Sequence, residues 1–113
     1  MPDATNPLAD RSLDASPAVL DAAAADEFLQ QLPAGWSIDA GSKTLAKTFE
    51  FAEFDATMTF VNAVADVARE ANHHPDMELG YAKARIAWTS HDAGGLTVND
   101  FVCAARTDRA SSS

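Results

Sequence analysis

Apolar residues along the chain recur with two different periods. Leu20, Ala24, Phe28 and Leu32 return every four residues, the signature of one helix face. Ser16-Pro17 ahead of them resembles a cap followed by proline at the first helical position, and Pro33 and Gly35 end the run. From Trp36 to Phe51 the period shortens to two. Trp36 and Ile38 lead into the turn-rich Asp39-Ala40-Gly41-Ser42, and Leu45, Phe49 and Phe51 then alternate with Thr44, Thr48 and Glu50. That pattern predicts a hairpin. Phe54, Met58, Val61, Ala65 and Ala68 restore helical spacing, which ends near Asn72 because Pro75 cannot continue it. Glu78–Tyr81 and Ala84–Thr89 read as two further short strands, with Ile86 and Trp88 on one side and Arg85 and Ala87 on the other. After the Gly94-Gly95 loop, a last helix starts at Thr97. Leu96 and Phe101 are placed as a staple, and Thr97 and Asp100 as a capping-box-like pair.

The predicted order is α-β-β-α-β-β-α. Hairpins imply antiparallel pairing, and amphipathic helices need a sheet face to cover. The expected fold is an α+β two-layer sandwich, a four-stranded antiparallel sheet with three helices on one face. Residues 1–15 hold only Leu8 and Leu13 as large apolar groups, so they are expected to be a disordered acidic tail, dispensable for fold and activity. The domain is expected over 16–107, with 108–113 as a frayed polar tail.

Charge narrows the partners. Seventeen acidic against eight basic residues give a net charge of −9, and no basic run interrupts it. Such a chain repels phosphate backbones and anionic membrane surfaces, so neither nucleic acid nor a membrane is expected as a partner. A hydrophobic fraction of 47% is ordinary for a folded domain. The single cysteine, Cys103, cannot close an intrachain disulfide, and no apolar stretch reaches membrane length. Met1-Pro2-Asp3-Ala4-Thr5 lacks the features of a secretory signal. A soluble, cytoplasmic protein is the expectation.

The candidate chemistry sits in three histidines. His73 and His74 are adjacent, just past a helix, in Asn72-His73-His74-Pro75-Asp76; His91 follows a strand in Ser90-His91-Asp92. All three stand at element ends, where loops carry sites on a rigid scaffold. Histidine titrates near neutral pH and suits proton transfer. Three unrelated surface histidines would look the same, so placement rather than number makes the case. No His-x-His, His-x-x-x-His or cysteine pair is present, which argues against a metal. Cys103, inside the last apolar helix, reads as core rather than nucleophile.

Asn72-His73-His74-Pro75-Asp76, then Tyr81, then Thr89-Ser90-His91-Asp92-Ala93-Gly94-Gly95-Leu96-Thr97 with Asp100, resembles the pterin-4a-carbinolamine dehydratase family. Leu32-Pro33-Ala34-Gly35-Trp36 and Phe49-Glu50-Phe51-Ala52-Glu53-Phe54 extend the resemblance upstream, to roughly residues 18–107. It implies a four-stranded antiparallel sheet carrying helices on one face. It also implies a hydro-lyase that dehydrates 4a-hydroxytetrahydropterin to quinonoid dihydropterin in tetrahydrobiopterin recycling, with no metal or organic cofactor. By the same resemblance His73, His74 and His91 are catalytic, and Trp36 and Asp100 line the pterin pocket. Pro75 fixes the loop that carries the histidine pair.

Each of these positions also has a purely structural reading. Asp100 suits a helix cap, Trp36 and Trp88 suit a core, and Asp76 and Asp92 suit a solvated loop. In one respect the chain departs from the family: Arg69, beside Glu70, stands where many members carry a glutamate. A homodimer or homotetramer and a functional link to an aromatic amino acid hydroxylase are implied partners. The alternative function is a noncatalytic interaction or assembly protein on the same fold, a partner of a transcription factor or of another enzyme. A protein kept only for binding has no need of three histidines.

Overall fold

A computed structural model describes residues 6–39, 41, 43–90 and 93–111. In chain order the elements are α1 (Pro7–Asp10), α2 (Ala22–Gln30), β1 (Ser37–Ile38), β2 (Leu45–Glu50), α3 (Phe54–Ala71), β3 (Asp76–Leu79), β4 (Lys83–Trp88) and α4 (Val98–Ser111). The strands form one antiparallel sheet in the order β1-β2-β4-β3. The α+β two-layer reading holds, with one helix more than the periodicity indicates.

Register decides which residues make the core. Leu45 lies opposite Trp88, and Phe49 opposite Ala84. Leu45, Phe49, Ala84, Ile86 and Trp88 are buried on the helix side of the sheet, while Thr48, Glu50, Lys83 and Arg85 are exposed on the other. Helix α3 meets this face through Phe60, Val61, Val64 and Ala68, and α4 through Phe101 and Ala104. The buried stripe of α3 is rotated from the one its spacing suggests, since Phe54 is exposed and Met58 only half-buried. Thr57 takes the inward place because its hydroxyl donates to the carbonyls of Glu53 and Tyr81 (3.1 and 3.0 Å), so its polarity is satisfied. Phe54 stacks instead on Tyr81 at the surface.

Both predicted tails are corrected. Residues 6–15 pack on the domain. Asn6 caps α1 by accepting from Leu8 N–H (2.9 Å) and donates to the Gln31 carbonyl (2.9 Å). Leu8 and Ala9 are buried, α1 packs on α4, and Arg106 donates to the carbonyls of Ala9 and Arg11 (both 3.0 Å). Two large apolar residues, Leu8 and Leu13, together with borrowed hydrogen bonds are enough to order a segment whose composition looks disordered. At the other end α4 runs on to Ser111, and Asp108 is buried rather than frayed. The first long helix also begins later than Ser16-Pro17. Asp21 caps α2 at Ala24 N–H (2.8 Å), and the backbone before it is held by Leu20 N–H on the Leu96 carbonyl (2.8 Å). The third strand is Asp76–Leu79 rather than Glu78–Tyr81. None of the described helices is long and apolar enough to cross a membrane.

Candidate active site

The site forms where the end of α3, the end of β4 and the start of α4 converge. Helix α3 ends at Asn72 in the left-handed conformation (φ 50°, ψ 43°), which asparagine tolerates better than most residues. The turn brings His73 back over the sheet. Its backbone N–H donates to the Ala68 carbonyl (3.2 Å), and its ring stacks on Trp88 with centroids 5.5 Å apart. Trp88 is itself fully buried and donates its indole N–H to Thr107 Oγ1 (3.0 Å), so the surface beneath the imidazole is rigid. Trp88 is thus a core residue that also shapes the site.

His73 Nε2 lies 2.7 Å from Asp100 Oδ1. Asp100 stands in the first turn of α4 and is completely buried. Its Oδ2 accepts from Ser90 Oγ (2.6 Å) and from Thr97 N–H (3.0 Å). The helix-capping reading of Asp100 therefore holds, with one oxygen closing the helix end and the other holding the histidine, whereas Asp100 itself is not part of the lining of the adjacent cavity. The capping box is only half formed, because the Thr97 hydroxyl turns to Ser90 (3.2 Å). A buried carboxylate facing Nε2 selects the tautomer with hydrogen on Nε2, which leaves Nδ1 as the basic nitrogen.

A cavity of about 790 Å³ opens beside this pair. His73, His74, Thr89, Ser90 and Asn99 line one side, and Leu13 to Ala15 with Pro17 line another. This volume is within the range of small-molecule sites. His74 is exposed on the cavity, while Pro75 is half-buried and is not part of its lining. His91 and Asp92 lie outside the described residues, directly after Ser90. Asp76 is exposed on β3, opposite Ala87.

Trp36 is not brought to this cavity. Its indole N–H donates to Asp108 Oδ2, and Lys47 Nζ holds Oδ1 of the same carboxylate at 2.7 Å. Asp108 follows Asp100 by eight residues on α4, about 12 Å along the helix. Trp36 belongs to a buried polar cluster there, with the Lys47 ammonium 4.8 Å from the centre of the Phe49 ring. Cys103 is buried in α4, and burial pushes its thiol up to about 12, so it is no nucleophile at neutral pH. Among the described residues, no three His, Cys, Asp or Glu side chains group as a metal site.

Ser90, Asn99 and, on the N-terminal segment, Leu13 to Ala15 with Pro17 are among the cavity residues that sequence reasoning missed. The Thr97-x-x-Asp100 spacing was the available signal for Ser90, since the buried carboxylate oxygen that caps the helix has a second lone pair left for the preceding loop. Nothing local pointed to the N-terminal segment.

A family model described as pterin 4 alpha carbinolamine dehydratase matches residues 18–110. The chain belongs to this family. A protein of Stenotrophomonas maltophilia (strain K279a), provisionally named pterin-4-alpha-carbinolamine dehydratase, is 47% identical over 81 residues, covering 72% of this chain and 69% of its own. One from Nitrosomonas eutropha with the same provisional name is 45% identical over 84 residues, 74% of this chain and 73% of its own. Among solved structures, a transcriptional coactivator/pterin dehydratase from Brucella melitensis matches with a TM-score of 0.78 at 24% identity, over 82% of this chain and 98% of that one. It shows the shared fold. A pterin dehydratase-like protein described as a RuBisCO assembly factor in the alpha-carboxysome matches with a TM-score of 0.60 at 25% identity, over 70% of this chain and 92% of its own.

Proposed function

We propose that the protein is a hydro-lyase that dehydrates 4a-hydroxytetrahydropterin to quinonoid dihydropterin, acting in the cytoplasm to recycle a tetrahydrobiopterin-type cofactor. The observation that carries this function is His73, held by the buried Asp100 at the edge of a cavity that His74 shares. Loss of the 4a-hydroxyl needs a proton donor, and formation of the C4a=N5 double bond needs an acceptor for the N5 proton. Histidines facing one substrate supply both at neutral pH, with no cofactor.

His73 and His91, on different loops, are assigned the proton transfers. His74, whose neighbour His73 is turned to Asp100, is assigned to binding. Single-turnover kinetics on freshly generated carbinolamine test the assignment. His73→Ala and His91→Ala should slow the chemical step by about 10²–10⁴-fold, and His74→Ala should mainly raise KM. Equal loss in all three variants overturns this division, and full rate in all three overturns the activity.

Self-association is part of the proposal. Strand β3 is an open edge, and Met77, Leu79, Tyr81 and Phe54 are exposed around it. A homodimer or homotetramer is expected in light scattering, and a monomer at micromolar concentration would contradict it. An aromatic amino acid hydroxylase would be the source of the substrate. The second reading, a noncatalytic partner of another protein, draws support from the printed description of the RuBisCO assembly factor that shares this fold. Retained activity in the intact chain with loss in the histidine variants separates the two.

A further inference from the structure

Residues 11–20 cross from α1 to α2 without secondary structure and pass over the histidine cavity. They are fastened at both ends and in the middle. Arg106 holds the Arg11 carbonyl (3.0 Å), and Leu20 N–H bonds to Leu96 (2.8 Å). Between these points Asn99 grips the Asp14 backbone with both ends of its amide: Asp14 N–H donates to Oδ1 (2.8 Å), and Nδ2 donates to the Asp14 carbonyl (2.9 Å). Asp14 Oδ1 in turn accepts from Ser16 N–H (3.0 Å), which stiffens the turn that follows. Leu13 also packs against the core.

The walls of the cavity differ in chemistry. The scaffold wall is mostly polar, with His73, His74, Thr89, Ser90 and Asn99, whereas the crossing segment contributes Leu13, Ala15 and Pro17 beside the polar Asp14. A flat heteroaromatic ring has a polar edge and apolar faces, and such a cavity suits it. The segment precedes residue 18, where the family match begins.

We propose that Leu13, Ala15 and Pro17, on a segment clasped at Asp14 by Asn99, form a fixed apolar wall of the pterin site, and that this wall sets substrate affinity. The inference rests on the pterin reading of the cavity and adds to it a specificity-determining segment outside the histidines. Because the wall is held before ligand arrives, no ordering of the segment has to accompany binding.

The test measures binding of 7,8-dihydrobiopterin, a stable pterin, by calorimetry in the full chain, Asn99→Ala and Asp14→Pro. Both variants remove the Asp14 N–H bond, one from each side, and because both side chains also line the cavity, Asp14→Ala, which keeps that N–H, is measured beside them as the control. Trypsin cleavage after Arg11 reports whether the segment has been released. Faster cleavage with Kd raised about tenfold in both variants is the expected result. Faster cleavage with unchanged Kd overturns the wall while leaving the activity standing. Unchanged cleavage in both overturns the clasp. Failure of the intact chain to bind the pterin overturns the proposed function and this inference together.

Discussion

Asp100→Asn preserves the shape of the buried side chain and removes its charge. Three groups face that carboxylate: Ser90 Oγ and Thr97 N–H at Oδ2, and His73 Nε2 at Oδ1. An amide has one accepting oxygen. Placed at the Oδ2 position, it keeps Ser90 and Thr97 and turns its NH₂ toward His73. The opposite orientation sets an NH₂ against the Thr97 N–H and strands a buried donor, at about 1–3 kcal/mol, so the first orientation wins. His73 must then present Nε2 as an acceptor and carry its hydrogen on Nδ1, the nitrogen that was basic before.

Stability and rate should respond differently. Charge-assisted hydrogen bonds are worth about 1.5–3 kcal/mol each and neutral ones about 0.5–1.5, and the helix end loses a favourable charge worth about 0.3–1. Relief from burying a carboxylate offsets part of this. A net loss of about 1–3 kcal/mol remains, or roughly 5–20 °C in Tm. The chemical step should slow by about 10²–10⁴-fold, because the base is in the wrong tautomer. Single-turnover absorbance gives the rate, and ¹⁵N shifts of the imidazole report the tautomer. A variant that keeps its rate within threefold, or keeps hydrogen on Nε2, would refute the positioning role of Asp100.

Leu8→Ala should cost about 2–5 kcal/mol in urea unfolding, because Leu8 is only 3% exposed; a change under 0.5 would show that α1 does not pack in solution. Asp108→Ala strands the Lys47 ammonium, whose side chain is only 16% exposed, together with the Trp36 indole N–H, and should destabilise by about 3 kcal/mol; a neutral result would contradict the cluster. Burial pushes the Cys103 thiol up from 9.0 to about 12, so folding favours the neutral form. That stability is complete below pH 9 and is lost as pH rises toward 12. Cys103→Ala should flatten this alkaline decline in denaturant titrations, and an unchanged slope would assign the decline to other groups.

What was legible in the sequence depended on the range of the interactions. The alternation of Leu45, Phe49, Ile86 and Trp88 reports local pleat geometry, and the sheet follows it. The pairing of Thr97 with Asp100 is a three-residue matter and holds at the backbone. The inward face of α3 was displaced because Thr57 finds a partner in the Tyr81 carbonyl, 24 residues away. The N-terminal segment was misread for the same reason: Asn99 and Arg106, 85 or more residues downstream, supply the bonds that order it. Of the candidate site, His73 and His74 share the cavity, and Asp100 reaches it only through His73. Trp36 is drawn to Asp108, a residue that composition alone consigns to a polar tail.

The most direct measurement is stopped-flow ultraviolet absorbance on freshly generated 4a-hydroxytetrahydropterin with the intact chain, His73→Ala and buffer alone. Dehydration well above the buffer rate, cut by about 10²–10⁴-fold in His73→Ala, is the predicted result. A rate no faster than buffer with the folded, intact chain would contradict it.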